Sequence, residues 1–538
     1  MYTKIGAYKD FKISIFLRDN VQPATGCTEL TAPAWAVAIA VHAAVGNIPR
    51  KGADGVITFN QPTITPQEIQ NNLKSIHIVA DLDTFKNGYN VFVPSTNQQG
   101  IVTAAAMGAL RNPQSGLNLL GGIPQSDVDR AVAIRSKIPI NLVCDYATAA
   151  RAAKKIIGND LDIRVQVVYG DKTVFVRIFK KHTNIDIVKV NGKTVYKSSE
   201  DAKKLAAQKV PQTIGEFIKL IEQTEDTDIP TILAGLKMNY QIALEGLRND
   251  YGLISGIAHL RSLFPGKNSL LSAVRKNPET IFELKGLRWG DLARILASAA
   301  SDVRMGGGKL PTMTSNGSGN QGITTQMSII AAYYALTRDT AIGKTISGLV
   351  NKGTGIDEKR FAKAALLSHL ITRFATDTIG LLGSPCGCAT RSGIGAISGL
   401  VYLFGGNEAQ MHQGINHLLA DLAGQACDGA KPSCALKLGT STILGVDYAA
   451  QALQGAKIAD YNGIVHPDAF DSIRAFGRIS LTTGLQDVAI GRTIDAKGQA
   501  RTKEALLITQ QKIINDLQRT KADEETDESD WSIDGLGI

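Results

Sequence analysis

The chain of 538 residues has a formal charge of +9, with 44% hydrophobic and 20% charged residues. This length allows about two to four domains with large cores, and 53 glycines against 17 prolines argue against a proline-rich disordered protein. The basic residues are scattered rather than interleaved with aromatic residues, so we expect no nucleic-acid partner. The sequence shows neither an export signal nor an apolar run long enough for a bilayer, which indicates a cytoplasmic protein with no membrane partner.

The first predicted element is a helix of small apolar residues over 28–45, entered by a turn that places Cys27 at its N-terminus. Between residues 52 and 200, short β-type runs alternate with helical patterns. Strands are expected at 55–59, 75–80, 90–93, 162–169, 173–179 and 185–190, and helices at 99–111, 125–136 and 146–157. From 202 to 495, Ala, Leu and Ile recur at three- and four-residue spacing, which predicts helices.

These patterns predict an α+β protein with a large, mostly α-helical domain and a smaller α/β domain of mixed sheet. A charged helix over 502–519 should lead into a solvated tail, since residues 521–538 hold seven acidic residues and one lysine. The expected segments are an N-terminal helical segment that packs on the large domain, the α/β domain, the large helical domain, and the C-terminal helix with its tail: 1–50, 51–200, 201–495 and 496–538.

Four of the six cysteines lie in two glycine-broken turns of the helical region: Cys386, Cys388, Cys427 and Cys434. In a long chain without export features, such thiols favour metal binding over disulfides. Iron–sulfur clusters are held by thiolates, and a four-iron cluster with three protein ligands keeps one iron free for substrate. The spacing does not match the paired Cys-x-x-Cys knuckles of structural zinc sites. The ordinary alternative is burial as small hydrophobic side chains.

Cys27 is a candidate for a different chemical role from these four cysteines. A thiol at a helix N-terminus feels the positive end of the helix dipole, which lowers its pKa and favours the thiolate. Cys27 could then be a base, a nucleophile or a further ligand, whereas a packed core cysteine is the alternative.

The glycine-, serine- and asparagine-rich loop at 312–322 precedes an apolar helix. Converging backbone amides at such a helix start suit a carboxylate or phosphate, although an ordinary turn has the same composition. The loop also resembles the Ser-x-Gly-Asn loop of pyridoxal-phosphate dehydratases, which are the runner-up. Their Schiff-base lysine would have to be Lys309, Lys431 or Lys437, none of which has the usual strand-end context.

His182 lies between two predicted strands, where it could act as acid, base or hydrogen-bond donor to a substrate. A surface histidine in a hairpin is the commoner role for such a residue. Lys86 and Asn87, in the turn expected before the 90–93 strand, have the same status.

Several motifs together resemble the L-cysteine desulfidase family, which is related to the alpha part of iron–sulfur L-serine dehydratases. They are PATGCTE at 23–29, KNG at 86–88, HTNI at 182–185, SDVRMGG at 301–307, SGNQGI at 318–323, CGC at 386–388 and CDGAKPSCALK at 427–437. The resemblance runs in order from about residue 15 to 495. Leu30 replaces the proline usual in the family, and the acidic tail is additional.

The resemblance implies a lyase whose [4Fe-4S] cluster sits in the helical domain, most simply one that converts L-cysteine to pyruvate, ammonia and sulfide. L-serine dehydration by the same chemistry is the alternative, and a non-enzymatic metal-binding sensor is the alternative outside catalysis. Implied ligands are Cys427, Cys434 and one of the Cys386/Cys388 pair. Cys386 is favoured because its separation from Cys427 along the sequence is nearer to that in the related dehydratases.

The remaining implied roles concern the substrate. Cys27 is implied as the base, and His182 is a second catalytic candidate. The residues expected to bind the small amino acid are Ser315, Asn316, Ser318, Gly319, Asn320, Gln321, Lys86, Asn87 and Asn184. We expect the protein to form a homodimer.

Overall fold

The computed structural model describes residues 11–52, 56–59, 64–158, 160–198 and 210–499. Helices form most of this part of the chain, and one six-stranded mixed sheet accompanies them. The expected α+β class is therefore confirmed. The charged helix predicted at 502–519 and the acidic tail lie outside the described residues. In the described part, no helix combines the length and apolar composition needed to cross a bilayer.

The helices are numbered in chain order. They are α1 Ile13–Asn20, α2 Thr28–Ala44, α3 Pro66–Asn72, α4 Leu82–Tyr89, α5 Ile101–Gly108, α6 Gln125–Lys137, α7 Tyr146–Lys154, α8 Ile214–Glu222, α9 Ile229–Arg248, α10 Ser255–Leu263, α11 Asn268–Lys276, α12 Trp289–Met305, α13 Gly319–Thr337, α14 Ala341–Ile346, α15 Glu358–Ile379, α16 Thr390–Leu403, α17 Glu408–Leu422, α18 Cys434–Leu453, α19 Ala469–Leu481 and α20 Gly484–Gln499.

The strands are β1 Pro23–Ala24, β2 Pro49–Lys51, β3 Ile57–Phe59, β4 Leu73–Ala80, β5 Ile140–Cys144, β6 Asp162–Tyr169, β7 Lys172–Phe179, β8 Ile185–Val190, β9 Lys193–Lys197 and β10 Thr312–Met313. The large sheet has the order β5-β4-β6-β7-β8-β9. Only its β4–β5 pair is parallel; the other pairs are antiparallel. Its central strands β6 and β7 alternate buried apolar residues with more exposed ones, as a sheet with one covered face requires.

Helix α2 covers that face of the sheet. All of its residues are buried, which fits its nearly continuous run of Ala, Val and Ile. It packs on β6, β7 and α5. Just before α2, Pro23 pairs with Met313 in the β1–β10 ladder, and the Thr314 amide donates to the Gln22 carbonyl at 2.9 Å. The start of the chain therefore bridges the sheet and the helical region, where α12, α13, α16 and α18 pack together.

One predicted strand is wrong. Residues 90–93 form no strand, and the preceding segment is helix α4, so Lys86 and Asn87 lie on a helix rather than in a turn. The reason is local: the Asp81 carboxylate caps the helix by accepting from the Asp83 and Thr84 amides. Strands β5 and β9 were not predicted.

Close packing of α9 against α12 yields a stability prediction. A Cβ atom at Gly246 would lie 2.1 Å from the Ala299 carbonyl oxygen, whereas one at Gly348 would meet nothing within 4 Å. Gly246→Ala should therefore destabilise the protein by about 1–3 kcal/mol and lower the thermal midpoint. Gly348→Ala is the matched control and should leave the midpoint nearly unchanged. Equal midpoints for the two variants would contradict the described packing.

Candidate functional site

A pocket of about 680 Å³, counting its open mouth, lies where four helices begin. The N-terminal residues of α2, α13, α16 and α18, or the residues just before them, contribute to its wall. The predicted site residues that line it are Cys27, Asn87, His182, Asn316, Ser318, Asn320, Gln321, Cys386, Cys388, Cys427 and Cys434. The structure thus gathers into one cavity residues from six separate stretches of sequence.

The two cysteine-bearing loops are held side by side by backbone hydrogen bonds. The Cys386 amide donates to the Gln425 carbonyl at 2.8 Å, and the Cys427 amide donates to the Ser384 carbonyl at 2.5 Å. Within the second loop, the Lys437 Nζ of α18 donates to the Ala426 carbonyl at 2.7 Å. The loops between α15 and α16 and between α17 and α18 therefore form one rigid unit.

Within this unit the thiols differ in surroundings. The Cys386 thiol is buried and contacts both the Cys388 and Cys427 thiols. Cys388 also approaches the Ser318 hydroxyl, with Sγ and Oγ 4.0 Å apart. Cys434, the first residue of α18, is buried with its Sγ 3.7 Å from the Gly429 carbonyl oxygen. Cys386 therefore lies deeper among the thiols, and Cys388 lies toward the loop that precedes α13.

This donor set suits a cluster better than a single ion. Among the described residues, no three Cys, His, Asp or Glu side chains are grouped so that they could hold one metal ion. A multi-iron cluster takes its ligands from around a body several atoms wide, and thiolates are its usual ligands. Four thiols line this pocket, so the chemistry of the side chains present is that of cluster ligands.

Arg391 brings a positive charge to the thiols. Its side chain is buried, and a Cβ atom at Gly387 would lie 1.7 Å from its Nη2, so the guanidinium lies directly over that glycine. Burial lowers the pKa of Arg391, while the thiols of Cys386, Cys388 and Cys427 favour its charged form. Its Nε has no hydrogen-bond partner among the described residues. The positive charge of Arg391 would stabilise an anionic group bound by the thiols.

Cys27 caps α2 but is not the expected thiolate. Its Sγ donates to Glu29 Oε2 at 2.8 Å, and the Thr28 hydroxyl donates to the same oxygen at 3.0 Å. Burial, followed by the charge of Glu29, raises the pKa of Cys27 well above its ordinary value, although Arg304 opposes this. The prediction that the helix terminus would lower this pKa is wrong, because desolvation and the neighbouring carboxylate outweigh the dipole.

His182 is buried, so the alternative of a surface hairpin histidine is wrong. The turn between β7 and β8 folds over the pocket and carries the imidazole into its wall. Burial lowers the pKa of His182, with Glu29 partly opposing the shift, and Nε2 has no hydrogen-bond partner among the described residues. Asn184 closes this turn by donating to the Phe179 carbonyl at 3.0 Å and does not line the pocket.

The loop before α13 presents acceptors to the pocket. Asn316, which has a left-handed φ of 50°, anchors its amide nitrogen on the Ser315 hydroxyl. The side-chain oxygens of Asn316, Asn320 and Gln321 are buried without a hydrogen-bond partner in the described part. Buried polar atoms are almost always satisfied, so such a group is typical of a ligand-binding wall. Ser315 and Gly319 lie behind this lining.

Lys86 lies outside the pocket. Its side chain is fully buried, and its Nζ pairs with Asp83 Oδ1 at 3.1 Å and with Asp487 of α20. Its carbonyl oxygen packs against Gly429, where a Cβ atom would lie only 2.4 Å away. Lys86 therefore supports the loop that carries Cys427 from below.

Three charged residues of the pocket were not predicted to be site residues: Glu29, Arg304 and Arg391. Glu29 lies in the PATGCTE motif and Arg304 in the SDVRMGG motif, so these motifs could have identified both residues. Arg391 follows Cys388 by three residues at the start of α16. The two lysines of the 427–437 stretch, in contrast, are both tied to the Asp428 carboxylate at 2.5 Å.

Comparisons with known proteins agree with the resemblance. The family model described as serine dehydratase alpha chain matches residues 186–491, more than half of the chain. A UPF0597 protein of Clostridioides difficile strain 630 is 30% identical over 474 residues, covering 86% of this chain and 94% of its own length. A UPF0597 protein of Desulfatibacillum aliphaticivorans is 31% identical over 501 residues, covering 90% and 97%. The chain belongs to the serine dehydratase alpha chain family, and this membership indicates a serine dehydratase-like enzyme of the lyase class.

Proposed function

We propose that the protein is an iron–sulfur-dependent lyase that removes the β-substituent of a small L-amino acid. L-cysteine is the proposed substrate, giving pyruvate, ammonia and sulfide, and L-serine is the alternative with water as leaving group. The observation that carries the proposal is the shared cavity: four thiols, a buried neutral histidine and unsatisfied amide oxygens line the same wall.

Cys386, Cys427 and Cys434 are the proposed ligands of a [4Fe-4S] cluster. The contact of Cys388 with the loop before α13 favours Cys386 as the third ligand. When bound, the cluster supplies an iron Lewis acid that makes the β-substituent a better leaving group. Arg391 and the N-termini of α16 and α18 supply positive charge beside this group.

The chain's own residues hold the substrate and move the proton. The loop before α13 holds the amino acid through its amides and through Asn316, Asn320 and Gln321. His182 Nε2, neutral and without a partner, takes the α-proton, and the bond from the β-carbon to sulfur or oxygen breaks. The resulting aminoacrylate hydrolyses to pyruvate and ammonia without further help. The Cys27 thiol, held by Glu29, is a proton donor to the site rather than its base.

The proposal is tested by removing one ligand. Cys427→Ala should abolish bound iron, acid-labile sulfide and pyruvate formation together, because the cluster loses a thiolate. Cys144→Ala is the control, since Cys144 ends β5 and does not line the pocket. Iron, sulfide and pyruvate are measured on anaerobically purified protein. Full pyruvate production by cluster-free Cys427→Ala protein would refute the proposal.

The third ligand is tested by a matched pair of variants. Cys386→Ser should lose the cluster, whereas Cys388→Ser should keep most of its iron and change the steady-state constants instead. The visible absorption spectrum and iron content of both proteins decide the assignment. Retention of iron by Cys386→Ser and its loss from Cys388→Ser would reverse it.

The role of His182 predicts the acid limb of the pH profile. Because burial lowers the pKa of His182, its neutral form persists to lower pH, and kcat/KM should fall only below about pH 6.5. His182→Gln should reduce kcat/KM by about 10²–10⁴-fold and remove this limb. An acid limb that stays at the same pH in His182→Gln would show that another group is the base.

A further inference from the structure

Arg304 is a buried arginine with no strong partner. Its residue is 3% exposed, and Nε has no hydrogen-bond acceptor among the described residues. Its Nη1 donates to the Met305 thioether sulfur at 4.0 Å, and thioether sulfur is a weak acceptor. No ion pair joins Arg304 to a carboxylate in the part of the chain that the structure describes. A buried charge is seldom left without an ion pair, so the position of Arg304 suits an anionic ligand.

The groups around Arg304 indicate which kind of anion suits this position. A Cβ atom at Gly319 would lie 2.3 Å from Arg304 Nε, so the guanidinium lies against the first residue of α13. The side chains of Asn320 and Gln321 line the pocket beside it. A planar guanidinium next to the backbone amides of a helix start is suited to a two-oxygen anion such as a carboxylate.

The second pocket arginine serves different neighbours. The charge of Arg391 interacts with the thiols of Cys386, Cys388 and Cys427, whereas that of Arg304 interacts with Cys27 and Glu29. The two guanidiniums therefore have different neighbours within the one cavity. Arg391 serves the thiols of Cys386, Cys388 and Cys427, and the surroundings of Arg304 suit the polar part of a substrate.

Glu29 is the complementary charge in the surroundings of Arg304. It is buried, and within the described part of the chain its Oε1 receives one long hydrogen bond, from the Asn87 amide at 3.4 Å. The Cys27 thiol and the Thr28 hydroxyl occupy the other oxygen, Oε2. Oε1 can therefore accept from an ammonium group without breaking a short contact. Arg304 and Glu29 line the same pocket but form no ion pair with each other.

We propose that Arg304 binds the α-carboxylate and Glu29 binds the α-ammonium of the amino-acid substrate. The pair selects zwitterionic α-amino acids and directs the β-substituent toward the thiols of Cys386, Cys388 and Cys427. This assignment rests on the proposed function for the identity of the substrate. Both residues bind substrate directly and are distinct from the proton acceptor at His182.

Three small ligands separate the two roles, with calorimetry on the full-length protein as the readout. L-alanine carries both charged groups and no leaving group, 3-mercaptopropionate lacks the amine, and cysteamine lacks the carboxylate. Arg304→Gln should weaken L-alanine and 3-mercaptopropionate by about tenfold or more and leave cysteamine unchanged. Glu29→Gln should weaken L-alanine and cysteamine similarly and leave 3-mercaptopropionate unchanged.

The controls separate binding from folding. Arg261→Gln removes an exposed arginine of α10 and should alter none of the three affinities. Arg304→Lys keeps the charge and should recover part of the lost affinity. With L-cysteine, Arg304→Gln should raise KM more than it lowers kcat.

Selective loss along these lines supports the assignment. Equal loss of all three ligands in both variants, or unchanged L-alanine binding, would overturn it. Because L-alanine binding needs no turnover, the assignment can hold even where neither L-cysteine nor L-serine yields pyruvate, and that outcome would instead refute the proposed function.

Discussion

Convergence of four helix N-termini on one cavity is the constraint on which the rest of the site depends. Each helix start brings unsatisfied amides and a partial positive charge, and α2, α13, α16 and α18 all begin at the pocket. Arg304 and Arg391 add two buried full charges. So much positive potential in a desolvated cavity favours anionic occupants, and the proposed thiolate-bound cluster and substrate carboxylate would both meet that condition.

Small residues make this convergence physically possible. A Cβ atom at Gly322 would lie 1.9 Å from the Met313 carbonyl oxygen, so α13 can approach β10 only with glycine there. Gly387 and Gly319 accommodate the two guanidiniums in the same way. Beneath the cavity, the buried Lys86 ion pairs join α4 to α20 and support the loop that carries Cys427. The close packing of the helices therefore also fixes the positions of the buried charges and of the pocket residues.

Local patterns predicted much of the fold. The predicted bounds of α2, β6 and β8 agree with the observed bounds to within a residue or two. The patterns that predict these elements lie within a few positions along the chain. The cysteine turns and the loop before α13 could also be singled out from composition. The segment at 82–89 could not, since its helix depends on the Asp81 cap rather than on strong periodicity.

The electrostatics of the site were not accessible from sequence. Cys27 was expected as a thiolate because its position at a helix start is visible in the chain, whereas its burial and its contact with Glu29 are properties of the fold. The burial of His182 likewise depends on how the β7–β8 turn folds over distant helices. Arg304 and Arg391 become conspicuous only in three dimensions, where the Nε atom of each is buried without a hydrogen-bond partner among the described residues.

The central claim is that thiol-bound iron and a zwitterion-binding pocket act together in β-elimination. It is tested most directly by anaerobic turnover of L-cysteine and L-serine, with pyruvate and sulfide measured in the same reaction. L-cysteine should yield pyruvate with an equal amount of sulfide, and both products should be lost on exposure of the protein to oxygen. Absence of pyruvate from both amino acids, in protein with a full complement of iron and labile sulfide, would contradict it.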